Sequence, residues 1–103
     1  MTNSPNILRT PWGKPLKLST SQQRLLLRLL ESGATEVSGR LVTRAFARPA
    51  TVRSLESLDF ITEDETFSTP QELSLHFTPA GMSIARELRR MRFQEPKPFA
   101  ART

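Results

Sequence analysis

The chain contains no cysteine, so neither a disulfide framework nor a thiolate metal site can belong to it. Its single histidine, His76, removes every multi-histidine metal site and leaves a nucleophilic triad only one possible base. Alternation along residues 73–77 sets that histidine on the outer face of a strand, away from any enclosed reaction centre. Gly13, Gly33, Gly39 and Gly81 are isolated from one another, so no glycine-rich loop is available to cradle a phosphate. No apolar run approaches membrane-spanning length, because Leu25, Leu26 and Leu27 are followed at once by Arg28. The start of the chain lacks the apolar segment of a secretory signal. Glu63, Asp64 and Glu65 could gather a hard cation, but three consecutive acids lack the spacing of a calcium loop and read as a solvated turn. These absences predict a cytoplasmic chain that is no enzyme, with no metal, no cofactor and no membrane contact.

What the chain does have is segregated charge. Its 103 residues allow one domain with one modest core, and its net charge is +5. Residues 1–58 hold nine basic and three acidic side chains, and residues 86–103 hold six and two. Between them, residues 59–85 hold five acids and no lysine or arginine. A basic body of this kind attracts nucleic acid by phosphate neutralisation and counterion release. The prolines gather at the ends, with Pro5, Pro11 and Pro15 early and Pro96 and Pro98 late. The expected organisation is an N-terminal arm over residues 1–18, a compact domain over residues 19–93 and a tail over residues 94–103.

Within the arm, residues 15–18 alternate and could form a short strand, and Trp12 sits in a turn-like Pro11-Trp12-Gly13 setting. The first helix begins at Ser19 or Thr20, with Gln22 or Gln23 as the return half of a capping box, and stops at Gly33. Leu25, Leu26, Leu29 and Leu30 form its apolar stripe, and Leu27 falls off it. Residues 39–46 read as a second helix: Leu41, Val42, Ala45 and Phe46 share one face, and Arg40, Thr43 and Arg44 take the other. Arg48-Pro49 breaks the chain and restarts it as a third helix to Asp59, with Val52, Leu55 and Leu58 inward. Phe60-Ile61 opens a strand, a polar acidic loop follows, and Leu73, Leu75 and Phe77 alternate along the return strand with Ser74 and His76 outward. Thr78-Pro79 starts the last helix, in which Ile84, Ala85, Leu88 and Met91 face inward.

Residues 51–90 carry a resemblance. "Leu58-Asp59-Phe60-Ile61" closes one helix into a strand, and "Thr78-Pro79-Ala80-Gly81" opens the next helix after the hairpin. With the helices before it, this order resembles a winged helix-turn-helix domain of the small regulators found in bacteria, phages and plasmids. The resemblance implies an α+β fold with a three-helix core, a two-stranded wing and a C-terminal helix. It also implies a double-stranded DNA partner and a dimeric transcriptional regulator that occludes a promoter. On that reading the outer side of the third helix holds Ala50, Arg53 and Ser57, flanked by Ser54 and Glu56. Arg53 is a fork suited to guanine, and Ala50 and Ser57 are small enough for close approach. Arg48 meets phosphate at the start of that helix, and Arg40 and Arg44 clamp the backbone from the second helix. A line of Met82, Arg86, Arg89 and Phe93 on the last helix, with Trp12, is the expected dimer or partner contact. The acidic wing, repelled by phosphate, suggests the alternative of a winged-helix adaptor that docks a protein partner at the wing and last helix.

Overall fold

A computed structural model describes residues 7–9 and 15–94 of the protein, with side chains described over residues 16–91. The described residues form a small α+β globule of three helices and a three-stranded antiparallel sheet, with a short N-terminal hairpin beside them. That hairpin pairs β1 (Ile7–Arg9) with β2 (Pro15–Lys17), aligning Leu8 with Leu16. Within the segment expected to be an arm, Leu16 is half-buried and Leu18 is fully enclosed.

Helix α1 (Thr20–Glu31) starts as the sequence predicts. Ser19 Oγ accepts from the Gln22 amide at 3.1 Å, and Gln22 Oε1 accepts from the Ser19 amide at 2.7 Å, satisfying two otherwise orphan donors. Its other end closes in a Schellman turn: the Ala34 amide donates to Leu29 and the Gly33 amide to Leu30. Gly33 holds φ +93° there, a conformation that a Cβ disfavours. Leu25, Leu26 and Leu29 are buried, and Leu27 is buried with them rather than lying off the stripe. The reason is position: α1 packs against both of the other helices, so more than one face is covered.

The second predicted helix does not form. Residues 40–43 are strand β3 (Arg40–Thr43), followed by a single turn in which the Phe46 and Ala47 amides both donate to the Thr43 carbonyl. Only Val42 of β3 is buried; Leu41 and Phe46, expected inside, are exposed, and Ala47 takes the core position instead. The apolar spacing fits a helix of two turns, but such a short helix is unstable alone and the sheet offers this segment a full ladder. Gly39 permits that pairing, because a Cβ there would lie 2.9 Å from Ser74 Oγ and 3.3 Å from the Leu75 carbonyl oxygen.

Helix α2 (Pro49–Ser57) buries Val52 and Leu55. It ends two residues before the predicted Asp59, in a second Schellman turn with Asp59 at φ +64° and Phe60 donating to the Leu55 carbonyl. That turn leaves Leu58 largely exposed, against expectation, and delivers Phe60 to the core in its place. Strand β4 (Ile61–Glu63) and strand β5 (Glu72–Phe77) form the hairpin, and β5 is central in the order β3-β5-β4. Its first half pairs with β3 and its second half with β4, with Leu75 facing partners on both sides. Val42, Leu73, Leu75, Phe77 and Ile61 line the core face. Ser74, expected outward and wet, is buried because the loop between β4 and β5 folds over it: its amide donates to Ser68 Oγ and its carbonyl accepts from Asp64.

Helix α3 (Pro79–Gln94) starts with Thr78 Oγ1 accepting from the Gly81 amide. Gly81 lies so close to the end of α2 that a Cβ would sit 1.7 Å from the Phe60 carbonyl oxygen. The Thr78 amide and hydroxyl donate to the Phe60 and Asp59 carbonyls, fastening α3 to the same turn. Ile84, Ala85 and Leu88 are buried as predicted. Met82 is buried too, not part of an outward line, because it follows Gly81 in the turn drawn against Phe60. Each fully enclosed leucine of this core contributes about 1.5–3 kcal/mol relative to exposure. None of the described helices is long and apolar enough to cross a membrane.

Candidate nucleic-acid interface

The site is built on α2. Its inward positions are fixed by Val52 and Leu55, so a helical period of 3.6 turns Ala50, Arg53 and Ser57 outward, and all three are exposed. Glu56 is exposed beside them. Among the described residues, no carboxylate or carbonyl engages the Arg53 guanidinium. Arg48 is the N-cap of α2 with extended backbone; it makes no side-chain cap, and Pro49 occupies the first turn. Pro49 has no amide hydrogen to satisfy, which suits it to that place.

Ser54 has a different occupation. It is partly buried, accepts from Gln22 Nε2 at 2.9 Å and donates to the Thr51 carbonyl at 2.8 Å. Its hydroxyl therefore ties the start of α1 to the middle of α2, while Arg53 and Ser57 remain on the open side.

Arg40 and Arg44 are not a pair one helical turn apart, since β3 and its turn replace the predicted helix. Arg40 folds back on the end of α1: Nε donates to the Ser32 carbonyl at 2.9 Å, and Nη1 donates to Ser38 Oγ and the Gly39 carbonyl. It satisfies a carbonyl that the helix end leaves without a partner. Arg44 reaches across to the β4–β5 loop, where Nε and Nη2 both donate to the Thr69 carbonyl, at 3.1 and 2.8 Å. Its amide also donates to the Gln71 carbonyl. Both arginines are exposed, yet their guanidinium groups hold two parts of the fold together.

The loop that Arg44 holds carries the acidic side chains. Glu63 accepts from Ser68 Oγ at 2.8 Å, Asp64 and Glu72 supply backbone acceptors to the loop, and Glu65 is exposed. Phe67 stands at 65% exposure within it. Sequence reasoning missed this aromatic, although its place among Glu65, Thr66 and Ser68 already set it apart from the alternating core pattern.

On α3, Arg86 and Arg89 are exposed and Met82 is not, so the expected outward line is interrupted. Trp12 and the Phe93 side chain lie outside the described residues. No protein-family model matches the chain, and neither a curated protein nor a solved structure matches it.

Proposed function

We propose that the chain is a winged-helix protein that binds double-stranded DNA with α2 as the recognition helix. The observation that carries this reading is the outer side of α2: Ala50 and Ser57 are small and exposed, and Arg53 between them has no partner among the described residues. A helix entering a major groove needs such close approach, and a free guanidinium fork suits the O6 and N7 acceptors of guanine. The sheet order β3-β5-β4 and the position of α2 just before the β4–β5 hairpin support the winged-helix assignment. Residues 40–55 add four arginines and no acid. Arg48 is the phosphate contact of this surface.

The biological role we propose is that of a cytoplasmic transcriptional regulator that occludes a promoter as a homodimer. One nine-residue recognition helix reads few base pairs, and a two-fold copy supplies a second half-site. Arg86, Arg89, Phe93 and Trp12 remain the residues proposed for the two-fold contact, without Met82. Sedimentation at micromolar concentration tests it: a dimer is expected, and a monomer removes the symmetric half-site.

A specific observation favours one second reading. The β4–β5 loop combines acidic side chains with an exposed Phe67, a chemistry suited to a basic, apolar protein partner rather than to phosphate. Selection of bound sequences from random duplex DNA separates the two. A recurrent half-site, lost with Arg53→Ala, supports DNA reading; absence of any enriched sequence and of duplex binding at low salt supports the adaptor.

A further inference from the structure

Arg28 was not among the residues that the sequence assigned to the site. It lies in the last turn of α1, and its guanidinium sits over the Phe46 ring, 5.2 Å from the ring centre. Two contacts fix how α1 runs past the recognition helix. Gln22 meets Ser54 near one end, and Arg28 meets Phe46 near the other. Phe46 is two residues before Arg48, so Arg28 lies near the start of α2.

The chemistry of the pair is what distinguishes Arg28 from the other exposed arginines. Arg40 and Arg44 are bonded to backbone carbonyls, and the ion pair found among the described residues joins Arg90 to Glu87. No acceptor among the described residues engages the Arg28 guanidinium, and Glu31 one turn on does not pair with it. A guanidinium held over an aromatic face uses none of its N–H donors in that contact, so they stay available to a ligand. Phe46 itself is 38% exposed, which a core packing role does not require. From this geometry we infer that Arg28, held on Phe46, is a phosphate-contacting residue of the duplex interface. The interface thus extends from α2 onto α1, and the nucleic-acid strand crosses between Arg28 and Arg48. This inference rests on the duplex reading above and adds a contact to it.

The competing role for Arg28 is structural, since a cation in the last turn of a helix also favours the helix dipole. The two roles differ in salt dependence. Duplex affinity is measured against salt concentration for the full chain and for Arg28→Ala, Arg28→Lys, Phe46→Leu and Arg53→Ala, with thermal unfolding of each. Arg28→Ala is expected to weaken binding roughly three- to tenfold on all duplexes alike and to reduce the slope of log K against log salt by about 0.9. Arg28→Lys keeps the slope, because the charge remains, but not the full affinity. Phe46→Leu weakens binding with the slope unchanged, since it removes the platform and not the cation. An Arg28→Ala protein that binds with wild-type affinity and slope, while Arg53→Ala is impaired, overturns the inference and leaves duplex binding in place. A wild-type chain that binds no duplex at low salt overturns both.

Discussion

Residues 40–55 carry four arginines and no acid, whereas residues 59–85 carry five acids and no lysine or arginine. The two stretches touch, since β3 lies beside β5 and Arg44 reaches into the acidic loop. Yet the described residues show no ion pair between them: Arg44 donates to the Thr69 carbonyl, and Glu63 accepts from the Ser68 hydroxyl. Opposite charges are held side by side by bonds to neutral groups. Exposed ion pairs contribute little in water, while a carbonyl gives a fixed acceptor whose position the backbone already sets. The difference between the stretches is therefore left facing outward, basic at α2 and acidic at the loop. Within the basic stretch there is a further division. Arg40 and Arg44 are bonded within the fold, and Arg48 and Arg53 make no such bond among the described residues.

The largest disruption is expected inside the acidic stretch, where the start of α3 meets the turn that ends α2. Gly81→Ala places a methyl group 1.7 Å from the Phe60 carbonyl oxygen, which is backbone and has no rotamer to yield. The loss is expected to exceed about 4 kcal/mol, at the extreme of single substitutions. Urea unfolding reads it; a transition within 1 kcal/mol of wild type (about a fivefold change in equilibrium) means that α3 and the end of α2 are further apart than described.

A smaller disruption separates the core of the basic stretch from its surface. Leu55 is fully enclosed, and Leu55→Ala is expected to cost roughly 2–5 kcal/mol. Thermal unfolding under two-state conditions measures it. A cost below that range places Leu55 at a site that collapses easily or is not enclosed.

The division among the arginines is sharpened by a matched pair. Arg53→Ala is expected to reduce duplex affinity by about 1–3 kcal/mol and to relax base preference at one position, with unfolding unchanged. Arg44→Ala is expected to do the reverse, lowering stability by about 1 kcal/mol or less through the lost Thr69 contact and leaving the salt slope of binding as it was. If Arg44→Ala flattens that slope instead, the guanidinium leaves Thr69 for phosphate in the complex and the division disappears.

Much of the fold was legible because its signals are local. The capping box at Ser19 and Gln22, the stop at Gly33, the break at Arg48-Pro49 and the cap at Thr78 each depend on residues within one turn of chain. The failures share a cause. Residues 40–43 have a spacing that serves a short helix or a strand equally, and the decision lay with β5, some thirty residues away along the chain. Leu27, Leu58, Ser74 and Met82 were misplaced because burial depends on what covers a residue: a third element, an early helix end, a folded loop and a close backbone approach. At the candidate site, Ala50, Arg53 and Ser57 were readable from a single helical wheel anchored by Val52 and Leu55. The occupations of Ser54, Arg40 and Arg44 were not, since their partners Gln22, Ser32 and Thr69 are distant or lie across a turn.

The sequence alone determined the charge segregation, the exclusion of thiolate chemistry, both ends of the first helix and the start of the last, because each follows from composition or from hydrogen bonds between near neighbours. Only the tertiary structure decided that residues 40–43 are a strand and that two of the four arginines belong to the fold. It alone set Arg28 on Phe46 near the start of α2. Those outcomes depend on contacts between segments far apart in the chain, where pairing and stacking outweigh a local preference worth a few tenths of a kcal/mol per residue.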